Sequence, residues 1–430
     1  MFKEGLIDTI LGFIKRSIPR PLFRVAARVY HPILAWTGAL VYRFPSRKLH
    51  VVGVTGTKGK SSVVYLTTRL LEGAGHPVAA IGSLGYKIRE REWPNLLKMT
   101  MPGRWKVQKF LRAAVDAGCT HVVMEVPSEG IAQGRHLGIT FDCAVFTNLH
   151  PEHLEAHGSF EAYQHAKGVL FAATKHLHVL NADDAATEYF ASFSAIKKLF
   201  FGIEGGELRA SQIEISKDHS SFDIYGTRFN LHLGGRFNVY NALAALSVAA
   251  LYGVDLPTAR PILESVREIS GRLQWIQKNP FGVVVDYAHT PDSLRAVYET
   301  LRPHAKRLIG VLGAAGGGRD TWKRPAFGAL AGEFCDEIYV TNEDPYNEDP
   351  LKIIDEVVRG IPDVAQEKTH RMLDRATAIH AAITSATEGD IIVITGKGSE
   401  TSMAVAGDKK IAWSDADIVR KELADLSGSL

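Results

Sequence analysis

The stretch from Val51 to Ser62 constrains this chain more than any other: Val-Val-Gly-Val-Thr-Gly-Thr-Lys-Gly-Lys-Ser-Ser. A β-branched run enters a glycine-rich turn, and Gly-Lys-Ser opens a helical pattern that continues through Leu71. That order of strand, loop and helix suits phosphate. Glycines let backbone N–H groups close around phosphate oxygens, and the helix N-terminus adds a partial positive charge. Lys60 is placed to reach terminal phosphates and Ser61 to ligate Mg²⁺, with Gly56, Thr57, Lys58, Gly59 and Ser62 completing the cradle. The spacing is G-x-x-G-K-S, a shorter variant. The commoner G-x-x-x-x-G-K-[ST] would need glycine where Val54 stands.

A chain of 430 residues has room for two or three domains, and 46% apolar with 23% charged residues is ordinary for a globular protein. Cys119, Cys143 and Cys335 are scattered without a C-x-x-C pair, which argues against disulfides or zinc and for a reducing, cytoplasmic compartment. The net charge of +3 conceals an asymmetry. Residues 1–48 carry nine Lys/Arg against Glu4 and Asp8, leaving 41 basic and 45 acidic residues in the rest. Basicity belongs to that segment, so no nucleic-acid partner is expected. The segment is also apolar, with Leu6, Ile7, Ile10, Leu11 and Ile14 at helical spacing, then Ile33, Leu34, Trp36, Leu40 and Tyr42. Its apolar run is too short to span a bilayer. The plain reading is helices packed against the body. The sharper one is peripheral contact with the inner face of a membrane.

From Leu49 onward strands and helices alternate, which predicts an α/β protein with mostly parallel sheets. Strands are expected at 50–54, 77–81, 120–125, 142–147 and 176–180, and helices at 60–73, 104–117, 160–173 and 183–192. Residues 208–233 read as short antiparallel strands, followed by a helix from near Asn238. A second series has strands at 282–286, 307–312, 337–341 and 390–395, and helices at 291–301, 350–359, 373–386 and 415–424. The expected organisation is an N-terminal segment 1–48, a central nucleotide-binding domain 49–270 and a Rossmann-like C-terminal domain 271–430.

Glu125 ends an apolar strand, where ligands collect in open α/β sheets, and a carboxylate there can hold Mg²⁺ or serve as a plain cap or ion-pair partner. His150, Glu152, His153 and His157 crowd into eight positions, without the cysteine pair that would favour zinc. Lys167 lies in a helical pattern and by itself reads as a solvated charge. In the second half, residues 283–294, 313–325, 341–350 and 395–401 each follow an apolar strand. They supply glycine or charged side chains for a ligand.

Together these segments resemble the Mur ligase family, over about residues 49–425, and most closely its branch that adds the third residue of the peptidoglycan stem peptide. The resemblance implies a central P-loop ATPase-like domain with a mostly parallel sheet, a C-terminal Rossmann-like domain, and ATP and Mg²⁺ as cofactors. The implied partners are small molecules, a muramyl-peptide-like acceptor and an amino acid. It implies phosphate contacts from Lys60 and one Mg²⁺ on Ser61 and Glu125. A second Mg²⁺ would sit on His153 and on Lys167, the latter carbamylated, so these four carry the catalytic roles. Asn238 and Asn241 match adenine contacts. Arg272, Asp286 and His289 match nucleotide contacts at the domain junction, with Asp320, Lys323 and Arg324 nearby. Thr100, Gln133 and Arg135 fall where the acceptor is gripped. Gly396 and Glu400 match positions that hold the amino-acid end of the incoming amino acid, and Arg319 and Asp344 are further substrate-binding matches.

Three departures stand out. The family's folded uridine-nucleotide domain is represented here by the 48-residue basic segment. Glu343-Asp344-Pro345-Tyr346 replaces Asp-Asn-Pro-Arg, whose arginine clamps the distal carboxylate of diaminopimelate, and Ser399 stands where histidine is usual. Pro127-Ser128-Glu129 replaces Ser-Ser-His. The alternatives are a folylpolyglutamate-synthase-like or poly-amino-acid ligase, a lipid-linked acceptor, and a membrane-tethered nucleotide-binding subunit without catalysis.

Overall fold

A computed structural model describes residues 20–97, 99–152, 154–318, 320–407 and 409–428. Leu6 to Ile14, His153 and Arg319 lie outside the described residues.

The apolar, β-branched runs become the strands of two large sheets. The first holds β1 (His50–Thr55), β2 (Val78–Gly82), β3 (Gly85–Ile88), β4 (Arg91–Trp93), β5 (His121–Glu125), β6 (Cys143–Phe146), β7 (Leu177–Asn181), β8 (Lys197–Gly202) and β9 (Leu208–Arg209). Their order is β4-β3-β2-β5-β1-β6-β7-β8-β9, parallel from β2 to β9, with the β3–β4 hairpin added antiparallel at the edge. Both faces are covered, as a parallel sheet requires. The Lys60–Gly73 and Arg236–Leu251 helices pack on one face around Val52, Val54, Leu66 and Leu243. The Arg104–Asp116 and Phe160–Ala173 helices pack on the other around Val51, Phe110 and Phe171.

The strand order reverses at β1, which lies between β5 and β6. The carboxyl ends of these three strands therefore open one crevice, the usual place for a ligand in such sheets. A small antiparallel sheet of β10 (Ser211–Ile215), β11 (Ser220–Ile224) and β12 (Thr227–Leu231) follows.

The second large sheet joins β13 (Gln274–Gln277), β14 (Gly282–Val285), β15 (Leu308–Leu312), β16 (Glu337–Thr341), β17 (Thr369–Met372) and β18 (Ile391–Ile394). Its order is β13-β14-β18-β15-β16-β17, with β13 antiparallel at one edge. A last hairpin pairs β19 (Ser402–Val405) with β20 (Lys409–Ala412).

Several elements differ from the sequence reading. The expected 183–192 helix is confined to Thr187–Ala191. Leu208–Arg209 extends the first sheet in parallel and does not join the antiparallel strands. The loop read at 313–325 turns helical at Lys323, and that helix runs to Phe334. Pro325 lies in its first turn, where a missing N–H costs nothing.

Candidate active site

The loop after β1 is held by the segment after β6. Thr57 N donates to Asn148 O at 2.9 Å, Lys58 N to Asn148 Oδ1 at 2.8 Å, and Thr147 Oγ1 to Lys58 O at 2.6 Å. His150 N donates to Thr57 Oγ1 at 2.9 Å. Glycine is required at two points. A Cβ on Gly56 would lie 1.9 Å from Thr147 Oγ1, and one on Gly59 2.4 Å from Asn241 Oδ1. Both also have positive φ, 144° and 82°, which only glycine adopts without strain.

Three lysines face this loop. Lys60 Nζ donates to Gly56 O at 3.0 Å and to Thr57 O at 2.8 Å. Lys167, fully buried on the Phe160–Ala173 helix, donates to Gly56 O at 2.8 Å, with its Nζ 4.4 Å from the Tyr163 ring centroid. Lys58 donates to Glu152 Oε1 at 3.1 Å. Burial lowers the pKa of all three. Lys58 falls to about 8 against the pull of Glu152, and Lys60 falls despite Glu125 and Glu152. Lys167 drops well below its ordinary value, with Lys60 adding repulsion. Three amines gathered around one loop, one buried and two partly exposed, are placed to meet anionic oxygens.

Glu125, buried at the end of β5, accepts from Ser83 N at 2.6 Å and from Ser83 Oγ at 3.3 Å. Ser83 Oγ lies 3.0 Å from Thr100 Oγ1, so the expected acceptor residue Thr100 is linked to Glu125. Ser61 and Glu125 line one cavity of about 300 Å³. A hydroxyl and a carboxylate sharing a cavity fit a hard, oxygen-ligated cation. Lys167 as a bare amine does not supply an oxygen ligand; as a carbamate it would. Among the described residues no group of three His, Cys, Asp or Glu side chains could by itself hold a metal ion.

Asn238 and Asn241 are buried at the start of the Arg236–Leu251 helix. Asn238 Nδ2 donates to Gly234 O at 2.8 Å, and Asn241 Nδ2 to Asn238 Oδ1 at 3.1 Å. Arg135 Nη2 donates to Gln133 Oε1 at 2.7 Å, and its Nη1 donates to Met101 O, beside Thr100.

The second sheet brings its own groups to the crevice. Arg272 Nη2 donates to Ser61 Oγ at 3.1 Å while its guanidinium stacks 4.6 Å from the Tyr287 ring centroid. Asp286 accepts from Leu273 N at 2.6 Å and from Ala288 N at 2.7 Å, and burial raises its pKa against the nearby Arg272. His289 Nδ1 is 2.7 Å from Tyr287 O and its Nε2 3.3 Å from Glu152 Oε1. Burial and then Lys58 take His289 down to about 4.

Sequence reasoning missed the part played by Glu152. Its Oε1 also lies 3.9 Å from Lys323 Nζ, so one buried carboxylate faces cations and imidazole from both halves of the chain. Lys323 itself pairs with Asp320 at 2.5 Å. Arg324 is engaged elsewhere, by Glu356 at 2.6 Å and Glu348 at 2.8 Å, and so serves its own domain.

A third cluster lies after β16 and β18. Lys397, buried and missed in the sequence, donates to Asp344 Oδ1 at 2.9 Å, Glu400 Oε2 at 2.5 Å and Ser402 O at 2.9 Å. Burial lowers its pKa, but Glu400 and Asp344 outweigh that and hold it above the ordinary value. Tyr287 OH donates to Glu400 Oε1 at 3.3 Å, and Gly396 packs against Glu343. Burial pushes Glu343 up to about 7.

Residues 54–249 match the Mur ligase middle domain, and residues 271–398 match the Mur ligase, glutamate ligase domain. The chain belongs to the Mur ligase family. This Mur ligase is 37% identical to a UDP-N-acetylmuramyl-tripeptide synthetase of Roseiflexus sp. (strain RS-1), over 95% of its own length and 85% of the relative's. It is 36% identical to the UDP-N-acetylmuramoyl-L-alanyl-D-glutamate–2,6-diaminopimelate ligase of Bacillus velezensis (strain DSM 23117 / BGSC 10A6 / LMG 26770 / FZB42), over 90% of its length and 80% of the relative's. A solved structure of a ligase of that same name superposes with a TM-score of 0.63 at 29% identity, covering 92% of this chain and 83% of that one. Folylpolyglutamate synthase from Mycobacterium tuberculosis, complexed with ADP and AMPPCP, shares the fold with a TM-score of 0.70 at 17% identity, over 86% and 96%. Mur ligases are ATP-dependent ligases, and this chain is an enzyme of that class.

Proposed function

We propose that this Mur ligase joins an amino acid to the terminal carboxylate of a UDP-N-acetylmuramoyl-dipeptide, with ATP converted to ADP and phosphate, in peptidoglycan precursor synthesis. The observation that carries the reading is the meeting of Lys60, Ser61 and Glu125 from the first sheet with Arg272 from the second.

In this reading a carboxylate oxygen of the acceptor attacks the γ-phosphorus of ATP, and the bond from phosphorus to the bridging oxygen breaks, releasing ADP. The amine of the incoming amino acid then attacks the acyl carbon, loses a proton, and phosphate departs. Lys60 releases its two loop carbonyls and turns to the terminal phosphate. Arg272 moves from Ser61 to the developing charge. Ser61 and Glu125 would hold one Mg²⁺, and carbamylated Lys167 with His153 a second; bound there, the metal would supply positive charge for the phosphate oxygens. Asn238 and Asn241 face the adenine. Thr100, Gln133 and Arg135 hold the acceptor, while Asp344, Gly396 and Glu400 receive the amino acid with Arg319. Asp286 and His289 hold the nucleotide as the two halves close.

The low pKa of Lys167 supports its role, since a neutral amine is what attacks CO₂ to form a carbamate. Tyr346 offers no charge to a distal carboxylate, so the amino acid is selected otherwise than through an arginine at that position. The test is phosphate release with UDP-N-acetylmuramoyl-L-alanyl-D-glutamate and, in turn, diaminopimelate, lysine and ornithine, with product mass recorded. Turnover with one amino acid and a product of matching mass is expected. Silence with every amino acid would remove this acceptor.

A further inference from the structure

The Arg20–Val41 helix turns an apolar face away from the protein. Its small residues fix that orientation. Ala35 and Ala39 are fully buried, and a Cβ on Gly38 would lie 3.2 Å from Trp105 Cδ1. A Cβ on Gly138 would in turn lie 2.8 Å from the Cβ of Ala39. Backbone and body approach so closely here that the helix cannot roll. Opposite this seam stand Val29, Ile33, Trp36 and Leu40, between 52% and 65% exposed. At 3.6 residues per turn these four fall within an arc of about 60°. Tyr30 and Val41 widen the stripe and are exposed too. Thr37, on the same side, folds its hydroxyl back to Ile33 O at 2.8 Å, so it adds little polarity.

Cations border the stripe. The Trp36 and Phe44 rings lie 6.5 Å apart, and the Arg47 guanidinium sits 4.4 Å over the Phe44 centroid. Arg43 and Lys48 are exposed beside it. An apolar face of this size on a helix normally has a partner. Among the described residues no helix is long and apolar enough to cross a membrane. A second copy would bring together two segments that each carry nine basic and two acidic residues, a repulsive pairing.

We infer that the outer face of this helix docks the enzyme on an anionic lipid surface, with Val29, Ile33, Trp36 and Leu40 entering the headgroup boundary and Arg43, Arg47 and Lys48 on lipid phosphates. The helix lies in the interface plane, with its Ala35 and Ala39 side against the protein.

The test is co-sedimentation of the full chain with vesicles of phosphatidylglycerol and phosphatidylcholine, against phosphatidylcholine alone. The comparison is Trp36→Ser/Leu40→Ser, whose exposed positions leave the fold and the soluble ligase reaction unchanged. Wild type should pellet with the anionic vesicles and be released at about 1 M salt, where the screening length is ~3 Å. The double variant should bind roughly tenfold more weakly at equal turnover. Equal pelleting of wild type and variant would overturn the inference and place binding in residues 1–19. Absence of pelleting, with the variant converting a dimer to a monomer in light scattering, would overturn it in favour of a second copy.

Discussion

Arg272 Nη2 donates to Ser61 Oγ at 3.1 Å across the junction between the two large sheets. One residue from the start of the second half thus rests on the hydroxyl that opens the phosphate-loop helix. Glu152 makes a second tie, between Lys58 on the loop and His289 after β14. Both ties lie in the crevice itself, so loading the loop with phosphate is expected to disturb the contacts between the two halves.

Replacing Arg272 should therefore affect chemistry more than nucleotide affinity. Arg272→Ala is expected to lower kcat by roughly 100-fold, the usual loss for one donor to transition-state charge, with a smaller change in KM for ATP. Arg272→Lys should recover little, because a point charge cannot both stack on Tyr287 and fork to the hydroxyl. Steady-state phosphate release checks both.

Lys167 should be replaceable only by chemistry that restores an anion. Lys167→Ala is expected to lose at least ~100-fold in turnover and to regain part of it with short carboxylic acids. In the wild type, ¹³C-bicarbonate should give a carbamate resonance that Lys167→Ala lacks. Burial lowers the amine's pKa well below its ordinary value, which favours the neutral amine that takes up CO₂, and the resonance should weaken as pH falls.

Glu343 predicts a pH dependence of stability. Its folded-state pKa is raised from 4.5 to about 7, so the native state binds more protons than the unfolded chain between those values. Its contribution to stability is fully present below the unfolded pKa and is lost as pH rises through about 7. Glu343→Gln should remove that slope, flattening urea-unfolding stability over this window relative to wild type. An unchanged slope would show that other groups set it.

Tyr346→Arg should shift amino-acid preference. An arginine here could clamp a distal carboxylate bidentately, and turnover with diaminopimelate should rise by about tenfold relative to lysine. Competition between the two amino acids, read by product mass, measures the ratio.

The fold was largely legible because its elements are locally consistent. The expected 60–73 helix is Lys60–Gly73, bounded by Gly59 and Gly75, and the expected 337–341 strand is Glu337–Thr341. The β3–β4 hairpin was not, since seven residues of Gly-Tyr-Lys-Ile and Arg-Glu-Trp strand carry little periodicity. The Lys323–Phe334 helix was hidden behind Gly316, Gly317 and Gly318. The site was legible in its loop, where chemistry is written in consecutive residues. Glu152 was read as one metal-capable group among histidines, because its partners His289 and Lys323 stand more than a hundred positions away. Lys167 by itself read as a solvated charge and gained a role only through the family resemblance; the fold buries it with its amine on Gly56 O.

Activation of a carboxylate by phosphorylation is the step on which the proposed function turns. It is tested most directly by labelling the reacting carboxylate of the acceptor with ¹⁸O and recording the mass of the released phosphate. One ¹⁸O is expected in phosphate and the other in the amide. Unlabelled phosphate accompanying amide formation would contradict it.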